Sequence, residues 1–247
     1  MVCFLYTLFF KETFMPVSKT DFIRGLQCEK MLWLDAHAPE LRIIPEEIRQ
    51  RLDAGNDFGD KVMGVFGPFK ETTAYKEDGR LDFAKMLAVT KTLLAAGERV
   101  ICEGSFSWYG NFCAADILKK EETGYALYEV KNTSLVRREF IADLGFQRLI
   151  LRKCGVNVTS SSLILRDEER DEEGEQVRVE HIQFEDLSLK IVDVTKQAKL
   201  LEREAEKRIF ELGKLKRKDA IEPPIKIGEH CEKPYPCWYI EHCKGQK

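Results

Sequence analysis

The chain lacks a strong charge of either sign. Its 39 Lys and Arg stand against 42 Asp and Glu, a net charge of −3 over 247 residues. No overall basic field draws in nucleic acid, so any such contact must rely on a local patch. A long apolar run is also missing. The apolar segment Met1–Phe10 is too short to span a bilayer, and it has neither the basic flank nor the small-residue cleavage site of a signal peptide. Residues 1–15 are expected to lie outside the folded core, with a true start at Met15, an added strand and a membrane-surface contact as the open readings. No membrane partner is expected. There is no internal repeat and no low-complexity linker, so residues 16–247 are expected to form a single domain.

What is present begins with eight cysteines. Cys102, Cys113 and Cys154 sit in apolar runs, as ordinary buried residues do, and Cys3 falls in the N-terminal extension. This uneven spread argues for a reducing, cytoplasmic compartment rather than a disulfide framework. The other four cysteines lie at opposite ends of the chain: Cys28, and then Cys231-x5-Cys237-x5-Cys243. Four thiolates are what an iron–sulfur or structural-zinc centre requires. Zinc sites favour shorter spacings, although His230 or His242 could substitute for a cysteine. Either metal would tie the segments 18–36 and 222–247 together.

Between these ends the pattern predicts helices over 18–36 (entered through Ser18 or Thr20), 46–66 and 81–96. Gly55, Gly59 and Gly64 along the second suggest close backbone approach. Strands at 100–106, 112–118 and 125–131, separated by turn residues, make an antiparallel meander. A helix over 138–154 stops at Gly155. A strand at 162–165 follows, then an acidic hairpin tip at 167–174 and a returning strand at 177–184. Residues 193–217 form a long charged helix. Pro223-Pro224 opens the cysteine-bearing tail. The fold class is α+β: a central mixed sheet with an antiparallel meander, flanked by helices, its core at about 98–192.

Asp116 falls near the end of one strand, and Glu129 and Lys131 are two apart on the next, so the latter pair leave one face. Two converging carboxylates suit Mg²⁺ or Mn²⁺, and a lysine beside them can stabilise charge on a phosphate. Pairing of both acids with lysines at a sheet rim is the alternative. Phe140, Leu144, Gln147 and Leu151 share one helix face, which directs Gln147 inward to a metal-held water, a phosphate or a backbone group. Lys119, Lys120, Lys131, Arg137, Arg138, Arg148, Arg152 and Lys153 gather around the carboxylates, as phosphate contacts or as a solvated helix face. Trp108, Tyr109 and Tyr128 could stack on bases or pack in the core.

This order resembles the PD-(D/E)XK nuclease superfamily: an early cysteine, a glycine-bearing helix, Glu103, Asp116, Glu129-Val-Lys131, a helix with Gln147, then three cysteines. Within it the chain is most similar to the RecB-like branch, in particular the CRISPR-associated iron–sulfur exonucleases and their standalone relatives, from about residue 16 onward. The resemblance implies an α/β/α restriction-endonuclease-like core. Asp116 and Glu129 would hold Mg²⁺ or Mn²⁺ with the Val130 carbonyl, and Glu103 could add a further ligand. Lys131 would be the catalytic lysine and Gln147 the glutamine of the last nuclease motif. Cys28, Cys231, Cys237 and Cys243 would ligate a [4Fe–4S] cluster.

The chain departs from the family where Gly59 stands in place of a histidine, where Leu151 stands in place of a tyrosine, and in its wider cysteine spacing. The expected function is a metal-dependent deoxyribonuclease, an exonuclease on single-stranded DNA or duplex ends, with CRISPR-adaptation or DNA-repair proteins as partners. A catalytically impaired nucleic-acid-binding protein of the same fold is the alternative, and a small redox iron–sulfur protein is a third.

Overall fold

A computed structural model describes residues 15–168 and 178–245. The N-terminal segment and most of the acidic tip lie outside the described residues. Within them, a seven-stranded mixed sheet carries helices on both faces, in an α+β arrangement. The strands are β1 (Lys70–Glu71), β2 (Val100–Trp108), β3 (Asn111–Lys120), β4 (Tyr125–Lys131), β5 (Val158–Arg166), β6 (Val179–Phe184) and β7 (Leu187–Asp193). Their order across the sheet is β1-β2-β3-β4-β5-β7-β6. The predicted meander is β2-β3-β4, antiparallel throughout. β5 then joins β4 in parallel, which requires the crossover helix between them.

The helices are α1 (Lys19–Gln27), α2 (Glu29–His37), α3 (Glu46–Val62), α4 (Phe83–Ala96), α5 (Arg138–Lys153), α6 (Thr195–Leu215) and α7 (Ile240–Gly245). α5 is buried along nearly its whole length because it lies between the sheet and α6, which explains apolar residues all round it. At their crossing, a Cβ on Gly145 would stand 2.8 Å from the backbone of Leu201, so only glycine permits this approach. α6 contributes Ala198, Glu202, Ala205, Ile209 and Leu212, a stripe with helical spacing. On the other face, Phe58, Val62 and Met63 cover Cys102, Ile117, Tyr128 and Ile164.

Several expectations are corrected. The first predicted helix is two, broken at Cys28, whose extended backbone (φ −159°, ψ 115°) ends α1 and begins α2. The second ends at Val62 and continues as a 3₁₀ turn to Phe66. A Cβ at Gly55 or Gly59 would meet nothing within 4 Å, so no close approach explains either glycine. The strand returning beside β5 is β7, which the sequence reading missed. β6 pairs only with β7, through the Glu185-Asp186 turn, so β5 and β6 are not the two arms of a hairpin.

Candidate functional site

The carboxylate site starts from a fault in strand alternation. In β3, Cys113 and Ala115 enter the core under α5, and strict alternation would send Asp116 to the opposite face. Instead Ile117 joins the opposite core and Leu118 the α5 side, so the alternation inverts at Asp116. The neighbouring strand inverts at the same level. Val100 and Cys102 face the α3 side, yet Phe106 packs with Ile101 under α5. The inversion there falls at Glu103, opposite Asp116 in register, with a positive φ of 54° that is unusual for a side chain of its size. This paired irregularity turns Asp116 onto the face that carries Glu129 and Lys131.

β3 and β4 also stop pairing beyond Ile117 and Tyr128. The amide of Val130 donates instead to Asp116 Oδ2 at 2.8 Å. The strands splay here, and the gap is filled by ionic side chains. Glu129 accepts from Lys131 Nζ at 2.5 Å through Oε1 and from Gln147 Nε2 at 2.5 Å through Oε2. Gln147 also donates to Asp143 Oδ1 at 2.9 Å. Asp116, Glu129, Lys131 and Gln147 therefore converge as the sequence suggested.

Two members were missed. Asp143 lies one helical turn before Gln147 and is buried, 3.3 Å from Lys131 Nζ through Oδ2. The i,i+4 relation to Gln147 was the available signal. Lys19, the first residue of α1, places its ammonium among Glu129, Asp116 and Asp143. Nothing in the sequence separation of some hundred residues pointed to it. Tyr235, on the loop between Cys231 and Cys237, lies in the same electrostatic neighbourhood. Its phenol is raised by burial and lies within the fields of Lys131, Glu139, Asp143 and Arg137.

The electrostatics divide the acids. Burial works against the charge on Glu129, but Lys131 and Lys19 outweigh it and hold this carboxyl well below the usual carboxylate range. Burial, then the Glu129 charge, pushes Asp143 up to about 6. Burial and Asp116 push Glu103 up to about 8. Asp116 is raised by burial and by Glu129. Both lysines oppose burial through the surrounding carboxylates, and both are raised.

Most of the predicted basic cluster is used elsewhere. Arg148 is buried against Glu202 (3.1 Å) and Ser161 (2.9 Å), and Arg152 pairs with Glu202 and Glu206. Lys153 pairs with Glu206, Arg138 with Glu204 and Lys120 with the Gly97 carbonyl. Lys119 lies on the far face, 4.7 Å above the Phe66 ring. Arg137 lies by Glu139 and the Phe140 ring, and of the cluster Lys131 alone contacts the carboxylates. Trp108 packs against Phe210, and Tyr128 against Phe66, so both belong to packing.

The second centre is the cysteine cavity. Cys28, Cys231, Cys237 and Cys243 all line one small cavity, with His230 at its wall. All four are free thiols. Burial raises Cys28, Cys243 and Cys237, the last to about 11, and charge on neighbouring thiols adds to it. His242 is turned toward Glu222 at 3.5 Å. Gln27 Nε2, at the end of α1, grips the cysteine loop by donating to the carbonyls of His230 and Tyr235, both at 2.7 Å.

Among the described residues, no three His, Cys, Asp or Glu side chains are gathered around one point as a ready metal site. No helix among them is long and apolar enough to cross a membrane. Comparison of the chain with protein-family models and with curated proteins found no match in either.

Proposed function

We propose that the chain is a metal-dependent deoxyribonuclease of the PD-(D/E)XK kind, an exonuclease on single-stranded DNA with a restriction-endonuclease-like core and a structural [4Fe–4S] cluster. The observation that carries this reading is the convergence of Asp116, Glu129, Lys131 and Gln147 on one splayed strand pair. The residues fit a hard divalent cation. The Oε1 atom of Gln147 is buried and has no hydrogen-bond partner, an acceptor that an ion's water could satisfy. Asp116 and Glu129 supply hard oxygens, with Glu103 and the Val130 carbonyl as further candidates. When bound there, Mg²⁺ or Mn²⁺ supplies polarisation of a phosphodiester and acidification of water.

The chain's own groups do the rest. Lys131 keeps Glu129 ionised and offers positive charge where a phosphate would gain negative charge. Gln147 fixes Glu129 and Asp143 in place by donating to both. The cysteine cavity fits a cluster in its donor chemistry, since four thiols face one space, and burial and neighbouring charge would otherwise keep Cys28, Cys237 and Cys243 protonated.

The second reading, a catalytically impaired nucleic-acid-binding protein, draws on the empty space at Gly59 and the lysine lodged among the carboxylates. Degradation of end-labelled single-stranded DNA by anaerobically purified protein with Mn²⁺, beside Asp116→Ala, tests the two. Cleavage lost in the variant supports the nuclease. Intact DNA with the wild-type, cluster-bearing protein sinks it in favour of the binder.

A further inference from the structure

Lys19 lies at the point where the carboxylates meet. Its ammonium is 3.2 Å from Glu129 Oε1, 3.7 Å from Asp116 Oδ1 and 3.7 Å from Asp143 Oδ1. The remaining oxygens are already engaged: Asp116 Oδ2 by the Val130 amide, and Glu129 Oε2 by Gln147. An Mg²⁺ drawing on both acids at about 2.1 Å therefore needs space that this ammonium fills. Lys131 reaches the same Glu129 Oε1 at 2.5 Å, but it comes from the strand on the Asp143 Oδ2 side, whereas Lys19 also stands 3.7 Å from Asp116 Oδ1.

The backbone under Lys19 is fixed. Ser18 and Asp21 form a capping box, and the Val17 amide donates to Asn111 Oδ1 at 2.8 Å. Ser18 makes a bridge to Phe112, and Lys216 Nζ binds Asp21 Oδ2 at 2.6 Å. The side chain is another matter. It is 25% exposed, at the mouth of the site, with a flexible four-carbon stem and a compact, rotatable donor head. It can leave the carboxylates by rotation alone, with α1 unmoved.

We propose that Lys19 is the resident cation of the carboxylate site: the divalent ion enters by exchange with its ammonium, which then turns to the phosphate of the substrate. The inference deepens the nuclease reading and rests on it. Exchange keeps the acids compensated in both states, so the unloaded site does not hold bare buried carboxylates. It also gives the ion a built-in competitor.

Two measurements test it. Mn²⁺ affinity of the metal-free carboxylate site, measured by calorimetry with no DNA present, should rise roughly tenfold in Lys19→Met and stay near the wild-type value in Lys19→Arg. Unchanged or weaker binding in Lys19→Met overturns the exchange. In the wild-type protein, acetylation of Lys19 followed by peptide mass spectrometry should increase on adding Mg²⁺. It should fall again with a phosphorothioate oligodeoxythymidylate. Lys19 labelling that Mg²⁺ leaves unchanged overturns the exchange without recourse to any variant, and labelling that the oligonucleotide leaves high overturns the phosphate step. Absence of Mn²⁺ binding in wild type and variants alike overturns the nuclease reading itself.

Discussion

Gln147 and Glu129 are joined through Nε2 and Oε2 at 2.5 Å, a bond that fastens the middle of α5 to the strand carrying the acid. The same amide nitrogen serves Asp143, so one side chain orients two buried carboxylates. Gln147→Leu keeps much of the volume but removes both bonds. We expect about 1–3 kcal/mol of lost stability, the cost of leaving buried acceptors unmade, seen as a lower urea midpoint. Mn²⁺ affinity should fall about 10-fold or more. Unaltered affinity would show that Gln147 serves folding alone.

Arg148 makes the opposite case, a basic residue whose guanidinium is spent inside the protein. It is buried with Glu202, and Arg148→Met leaves that carboxylate without its closest buried partner. Arg152 still pairs with Glu202 Oε1, so the expected loss is about 1–3 kcal/mol, the cost of the buried bonds left unmade. Arg148→Met with Glu202→Leu should recover most of it, as chemical denaturation of the single and double variants would report. The salt dependence of DNA binding should stay the same in the double variant, because no phosphate contact is removed.

The ion pair of Asp21 with Lys216 carries a pH dependence. Burial opposes the charge on Asp21, but Lys216 and the Ser18 amide prevail and lower its pKa from the usual value. Asp21 is therefore ionised, and its stabilising bonds whole, above the ordinary aspartate range. That contribution is lost as pH falls through the lowered pKa. Asp21→Asn should cost about 1 kcal/mol near neutrality, with the gap to wild type closing below about pH 4. A gap that stays constant from pH 7 to pH 3 would rule the linkage out.

Removing a cysteine ligand should be felt at both ends of the chain. Cys231→Ser is expected to lower bound iron and inorganic sulfide and to weaken hydrogen-exchange protection in α1 and in residues 231–243 together. Protection lost in the tail alone would separate α1 from the cysteine centre.

Strand and helix order were legible where a local period carried them. The meander, α5 and α6 follow from alternation and from four-three spacing, and Gln147 was placed inward on that basis. β7 escaped because Leu187–Asp193 falls between the returning strand and the charged helix and was given no element of its own. Asp116 does lie beside Glu129 and Lys131, but alternation alone would have pointed it to the opposite face. The inversion at Glu103 and Asp116 rests on a positive φ that no residue type announces. The basic cluster misled because a list of charges does not show which are already paired across α5 and α6. Lys19 and Tyr235 depend on packing between distant segments, which leaves no local trace.

α1 is nine residues long, with Lys19 at its first position and Cys28 directly after its last. Its N-terminal turn is held by Lys216, and its C-terminal end by the carbonyls of His230 and Tyr235. α1 is thus held by partners 195 to 208 positions further along the chain. A nascent chain that has emerged only as far as β7 already holds the start of α1 through Asn111 and Phe112, but lacks Lys216, His230 and Tyr235, which brace its two ends. The sheet and its carboxylates can therefore assemble first, and α1, with the lysine it carries, is locked in place only when residues 216–235 arrive.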